Sequence, residues 1–236
     1  MYMIKYIFCI ALLISSCGNL PITYAQNFSE VNNVLFGFPE YEITDSAYDE
    51  YEFSFAKVQF DRGPHSILIL AYVEGDVYEW VGLDNVKLYT KNGRVIKTSG
   101  LKHDFEIRNP ADPASINAQE SKNSNSYLSK IISIFVEEKS AESYFEGIDL
   151  YNPDLLNATL QSSYLTSRDN IMRLGKEKKV MLIKQFSEIR SIAWKETNDF
   201  YVDIETGRVL KARQSLHPRL RSVNIEYYYK SLIDPH

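Results

Sequence analysis

Asn92-Gly93 is the feature that most narrows what this chain can fold into. Both residues accept positive φ, and a two-residue loop of that chemistry joins antiparallel strands whose twist it matches. The runs it separates, residues 86–90 and 94–98, have strand character, so a hairpin is predicted there. Residues 66–74 read as a strand apolar on both faces. Gly75-Asp76 breaks it, and residues 77–81 resume with Trp80, a second hairpin in outline. Residues 127–137 read as a strand or a short helix. Residues 158–166, 180–187, 188–195, 200–204, 208–216 and 222–229 continue as strands. The total predicts a mainly β chain: an antiparallel twisted sandwich or incomplete barrel with little helix.

Two stretches depart from that rhythm. In residues 44–60, Thr44 or Asp45 offers a helix cap, while Tyr51, Phe53 and Phe55 alternate as in a strand, so a short helix giving way to a strand near Phe53 is expected. Residues 108–126 are rich in Asn, Ser, Ala and Pro and read as a long surface loop.

The sequence also echoes itself. Asn92-Gly93-Arg94-Val95-Ile96-Lys97 returns as Thr206-Gly207-Arg208-Val209-Leu210-Lys211, each after a run holding a tryptophan, Trp80 and Trp194. Two readings fit: ordinary hairpins that each need a turn glycine, or two similar halves, residues 34–107 and 127–236, packed as related antiparallel units.

The amino-terminal end has signal-peptide architecture: basic Lys5, an apolar run to Ile14, then Ile14-Ser15-Ser16-Cys17. With a helical rise of about 1.5 Å per residue, the apolar run falls well short of a ~30 Å hydrocarbon core. Small residues directly before a cysteine suit cleavage after that thiol is diacylated. Residues 1–16 are therefore expected to be a lipoprotein signal peptide, with Cys17 lipidated and holding the chain at a membrane leaflet. Residues 17–33 would be a flexible spacer and 34–236 a single β-rich domain. Several acyl chains anchor stably, because each buried methylene contributes about 0.8 kcal/mol. An ordinary signal peptide cut after Ala25 is the competing reading. Loss of Cys9 with the leader would leave one cysteine and no disulfide framework.

The formal charge is −5, and the basic residues are scattered, which argues against a nucleic-acid partner. No nucleophile elbow, phosphate loop, dinucleotide fingerprint or His-Glu-x-x-His motif occurs. His65, His103, His217 and His236 are too far apart in sequence for metal-ligand spacing and are expected at turns or on the surface. Acid pairs such as Asp49-Glu50 and Glu137-Glu138 read as solvated charge. No catalytic residue, metal or cofactor is expected.

Several segments together resemble the YjbF family. They are Arg62-Gly63-Pro64, Ile67-Leu68-Ile69-Leu70-Ala71, Glu79-Trp80-Val81, Leu88-Tyr89-Thr90-Lys91-Asn92-Gly93-Arg94-Val95-Ile96-Lys97-Thr98-Ser99-Gly100-Leu101, and Phe200-Tyr201-Val202-Asp203-Ile204-Glu205-Thr206-Gly207-Arg208-Val209-Leu210-Lys211-Ala212-Arg213-Gln214-Ser215-Leu216-His217-Pro218. The sequence differs from the family pattern at Gly82-Leu83-Asp84-Asn85. The resemblance implies an outer-membrane lipoprotein of capsule and exopolysaccharide operons, without a catalytic step. The expected role is a periplasm-facing, non-catalytic binding or scaffold module for polysaccharide assembly or export, in contact with the polysaccharide or with proteins of the export machinery. Absence of aspartate after Cys17 agrees with an outer-membrane address. Two other classes stay open, a lipid carrier with an apolar cavity and a glycan-modifying hydrolase. For a glycan ligand, Trp80, Trp194, Tyr227, Tyr228 and Tyr229 are the candidate contacts, since aromatic faces stack on the apolar faces of sugar rings. Burial of both tryptophans in the core is the alternative.

Overall fold

A computed structural model describes residues 42–108 and 143–230. It opens on the expected short helix, α1 (Asp45–Glu50), whose first turn is capped by the Thr44 hydroxyl accepting from Ala47 N at 3.3 Å. Twelve strands follow: β1 (Phe55–Phe60), β2 (His65–Glu74), β3 (Val77–Val81), β4 (Lys87–Lys91), β5 (Arg94–Ser99), β6 (Phe105–Arg108), β7 (Tyr144–Leu150), β8 (Leu155–Arg173), β9 (Lys176–Ile189), β10 (Trp194–Asp203), β11 (Val209–Gln214) and β12 (Val223–Tyr228). Each pairs antiparallel with the next. β1 and β12 then pair in register from Phe55↔Tyr228 to Phe60↔Val223, which closes the sheet into a barrel and removes both edges. The mainly antiparallel β expectation is borne out.

Asn92 and Gly93 both have positive φ, 50° and 73°, and Lys91 faces Arg94 across them, as a two-residue hairpin requires. Three local expectations are corrected. Residues 188–195 are not a strand. β9 ends at Ile189, Arg190–Ile192 forms a 3₁₀ turn, and Ala193 takes φ 52° to start β10. β2 is not buried on both faces, because Ile69 and Tyr72 point outward into solvent while Leu68 and Leu70 point inward. His103 and His217 stand at turns, as expected, but not on the surface. Both are buried and their rings stack at 5.1 Å. The segment 127–137 and most of the loop 108–126 lie outside the described residues.

A twelve-stranded barrel is wide enough to leave a channel. This one is filled because two opposite walls meet. Gln214 on β11 accepts from Val95 N at 2.9 Å and donates to Gly93 O at 3.1 Å, both at the start of β5. A Cβ at Gly93 would fall 2.4 Å from Val209 Cβ, so the approach depends on glycine. The fold thus has the continuity of a barrel and the face-to-face packing of a sandwich. The two echoing hairpins occupy matching places, joining β4 to β5 in the first six strands and β10 to β11 in the second six.

Alternation sorts the side chains. Ala56, Val58, Leu68, Leu70, Trp80, Leu88, Leu160, Ile183, Phe200, Ala212, Ile225 and Tyr227 face inward and form the core. Outward ladders carry opposite charges across strands: Lys57–Glu226–Lys211, Lys87–Glu79, Lys97–Glu106 and Lys195–Glu188. A membrane-spanning barrel has the reverse pattern, with an apolar band outside. Among the described residues, no helix is long and apolar enough to cross a bilayer.

Candidate functional site

The aromatics singled out in the sequence all lie on the core or against it. Trp80 is fully buried, with Nε1 donating to Thr90 Oγ1 at 2.8 Å. Tyr227 is also fully buried and donates from its hydroxyl to Gly93 O at 2.9 Å. Burial pushes the Tyr227 hydroxyl well above the ordinary tyrosine range. Trp194 and Tyr229 are half-buried against the core. Tyr228 points the other way, as alternation demands, but α1 covers it. Its ring stacks on Phe55 at 4.7 Å, and the Arg173 guanidinium lies 4.2 Å from its centroid. Trp80, Tyr227 and Tyr228 therefore offer no free ring face to a ligand. Cys17 lies outside the described residues.

The void outlined among the described inward-facing residues is small. Between Arg94, Ile107, Ile148, Leu160, Trp194 and Gln214 only about 20 Å³ remains, room for roughly one water. An acyl chain does not fit in this void. Close by, the interior turns polar. Gln185 donates to Ser162 Oγ at 3.0 Å and Tyr164 Oη at 3.2 Å, and Asn198 donates to Gln185 Oε1 at 3.1 Å. Each buried amide is thus satisfied within the wall.

These three strands, β8–β10, and β11 carry a groove on their outer face. Register places Gln161, Glu188 and Lys195 in one row across β8, β9 and β10, and Ser163, Phe186 and Thr197 in the next. Asp199 and Arg213 face each other across β10 and β11. These side chains, with Ser187, Glu196 and Ser215, line a depression of about 480 Å³, well within the range of small-molecule sites. Glu188 is held by Lys195 at 3.2 Å and Arg190 at 3.1 Å, and Lys195 is the main reason its carboxyl sits below the ordinary range. Glu196 accepts from Ser215 Oγ at 3.1 Å. Asp199 differs: its Oδ1 is shielded from water and accepts no hydrogen bond among the described residues, with Lys184 Nζ 4.0 Å away. Phe186 is 44% exposed at the wall of the groove.

Sequence reasoning missed this site, although a signal existed. Gln161-Ser162-Ser163, Ser187-Glu188 and Lys195-Glu196-Thr197-Asn198-Asp199 are polar at both parities, unlike half-buried strands, which alternate. Among the described residues no three His, Cys, Asp or Glu side chains gather as a metal site.

The family model for the group 4 capsule polysaccharide lipoprotein GfcB, YjbF, matches residues 28–228. The chain belongs to the YjbF family. Over 207 residues it is 23% identical to the uncharacterized lipoprotein GfcB of Escherichia coli K12, covering 87% of this chain and 88% of that one. It is 30% identical over 106 residues to the uncharacterized lipoprotein YjbF of the same strain, covering 44% of this chain and 49% of that one. The crystal structure of the hypothetical lipoprotein YmcC from E. coli K12 superposes with a TM-score of 0.63 at 19% identity, covering 91% of this chain and 98% of that one. The YjbF-family barrel is thus a fold met in a solved structure, and the resemblance read from the two long motifs is borne out.

Proposed function

We propose that this YjbF-family lipoprotein is held at the outer membrane by lipid on Cys17, faces the periplasm, and assists capsule or exopolysaccharide assembly or export as a non-catalytic binding or scaffold module. The observation that carries this reading is the contrast between a void of about 20 Å³ among the inward-facing residues and a polar groove of about 480 Å³ on the outer wall. Such a body works through its surface. Family membership supports the polysaccharide context. Tethering supports weak surface contacts, because confinement to a leaflet raises the effective concentration of the module for anything moving past it.

The test is deletion of the gene with quantification of surface polysaccharide, complemented by wild type and by Cys17→Ala. Reduced polysaccharide, restored by wild type and not by the alanine form, is expected. Unchanged polysaccharide on deletion would overturn the pathway, and full rescue by Cys17→Ala would overturn the anchor. New reducing ends on polysaccharide incubated with the purified protein would overturn the non-catalytic role.

A further inference from the structure

We infer that the outer-wall groove over β8–β11 binds a short stretch of uncharged or amino-bearing saccharide, with Phe186 as the stacking face and Asp199 as an acceptor for a sugar hydroxyl or ammonium. The choice of a saccharide rests on the function just proposed; the groove itself does not.

A sugar ring presents hydroxyls that both donate and accept around its rim, and one apolar C–H face. The groove offers the complementary set within one concave surface. Asp199 and Glu196 supply acceptors, Gln161 and Arg213 supply donors, and Phe186 supplies a ring with nearly half its surface open. The Asp199 side chain lines the groove and is 21% exposed, with Lys184 Nζ 4.0 Å from its Oδ1, so the exposed part of the carboxylate is what a ligand donor would meet. The acyl carrier's requirement is the opposite, an apolar lining, and the lining here is mostly polar. A polyanion fits poorly, since Glu188, Glu196 and Asp199 outnumber Lys195 and Arg213, and Lys195 is already engaged by Glu188. The site is also rigid. Its outward residues alternate with Ser162, Gln185 and Asn198, whose hydrogen bonds fasten the inner face of the same strands. A polymer segment can run through a groove open on the wall of the barrel, which suits a chain bound transiently along its length.

Saturation-transfer NMR and calorimetric titration of the full chain in detergent test this with three probes: chitotetraose, maltotetraose and tetragalacturonate. Binding of at least one uncharged probe is expected, with tetragalacturonate at least tenfold weaker. Phe186→Ala and Asp199→Asn should each weaken binding at least tenfold. Thr197→Ala at the groove and Tyr72→Ala on the far exposed face of β2 serve as the folded variant within the site and the control outside it, with a smaller loss expected for the first and none for the second. Absence of binding by all three probes, preference for tetragalacturonate, or equal binding by wild type and Phe186→Ala would overturn the inference. The gene-level experiment separates the two ideas. Deletion that lowers surface polysaccharide, with full rescue by the Phe186→Ala, Asp199→Asn double variant, sinks the groove and leaves the function standing. Groove-dependent binding with unchanged polysaccharide on deletion does the reverse.

Discussion

Arg94 and Glu146 meet inside the barrel through two parallel bonds, Nη1 to Oε1 at 2.8 Å and Nη2 to Oε2 at 2.6 Å. Arg94 begins β5 and Glu146 lies on β7, so the pair ties two non-neighbouring strands across the core. Both side chains are almost fully removed from solvent. Taking two charges out of water costs several kcal/mol per ion, and only bidentate geometry offsets it. Removing one partner is therefore worse than removing both. Glu146→Leu is expected to destabilise the barrel by about 3–5 kcal/mol, and the Arg94→Met, Glu146→Leu double variant by much less. Urea denaturation of the two single variants and the double variant checks this. Equal losses in single and double variants would show that the charges do not depend on each other.

The two turn glycines of the sequence echo provide a second, sharper contrast. Gly207 has φ 68° and nothing within 4 Å of an added Cβ, so Gly207→Ala pays only the left-handed backbone cost of about 1–2 kcal/mol. Gly93 has φ 73° and would set its Cβ 2.4 Å from Val209 Cβ, an atom fixed to the backbone that no rotamer can move. Gly93→Ala is expected to add about 1–3 kcal/mol of overpacking to the same backbone cost. Thermal and chemical unfolding of both variants should rank Gly93→Ala clearly lower. Similar stabilities would mean that the walls do not meet as described.

That contrast also shows what a sequence can and cannot carry. The hairpin at Asn92-Gly93 was legible because turn chemistry is local, and so were the helix cap at Thr44 and most of the strands. The loss of strand at residues 190–193 was not, because nothing in Arg190-Ser191-Ile192-Ala193 marks a turn by composition. Closure was not legible either: it depends on β1 meeting β12, a pairing across almost the whole chain. The covering of Tyr228 was not legible for a related reason. Alternation settles that Tyr227 and Tyr228 face opposite ways, but not that α1 covers the outward one. The groove arises from four strands, β8–β11, whose rows line up only once the register is fixed.

Glu226 sits between Lys57 at 3.2 Å and Lys211 at 3.8 Å and accepts from the Tyr228 hydroxyl at 2.8 Å. Burial pushes its carboxyl up, but Lys57, Tyr228 and Lys211 together hold it below the ordinary value. A depressed folded pKa means the unfolded chain binds the proton first as pH falls. The stability from this group is therefore complete above the ordinary carboxylate range and is lost as pH drops through the folded value. Glu226→Gln should cost about 2 kcal/mol at pH 7, in line with hydrogen bonds to charged groups. The gap to wild type should close as the pH is lowered below 4. A gap that stays constant across that window would remove the charge from the explanation.

His217 titrates in a different window. Its Nδ1 accepts from Arg219 N at 3.0 Å, its ring lies on His103, and its Nε2 is buried without a hydrogen-bond partner among the described residues. Burial first, then the proximity of His103 and Arg219, lowers its pKa below 6.5. The folded protein thus holds this imidazole neutral at a pH where the unfolded chain has already protonated it. Above the ordinary histidine value both states are neutral and nothing is at stake. As the pH falls from about 6.5 towards the folded pKa, the unfolded state binds the extra proton and the barrel loses stability. His217→Asn keeps an acceptor for Arg219 N but cannot titrate. Urea midpoints measured between pH 7.5 and pH 5 should therefore fall less for His217→Asn than for wild type, even if the variant is less stable at the upper end. Parallel curves would show that the ring takes up its proton as readily inside the barrel as outside it.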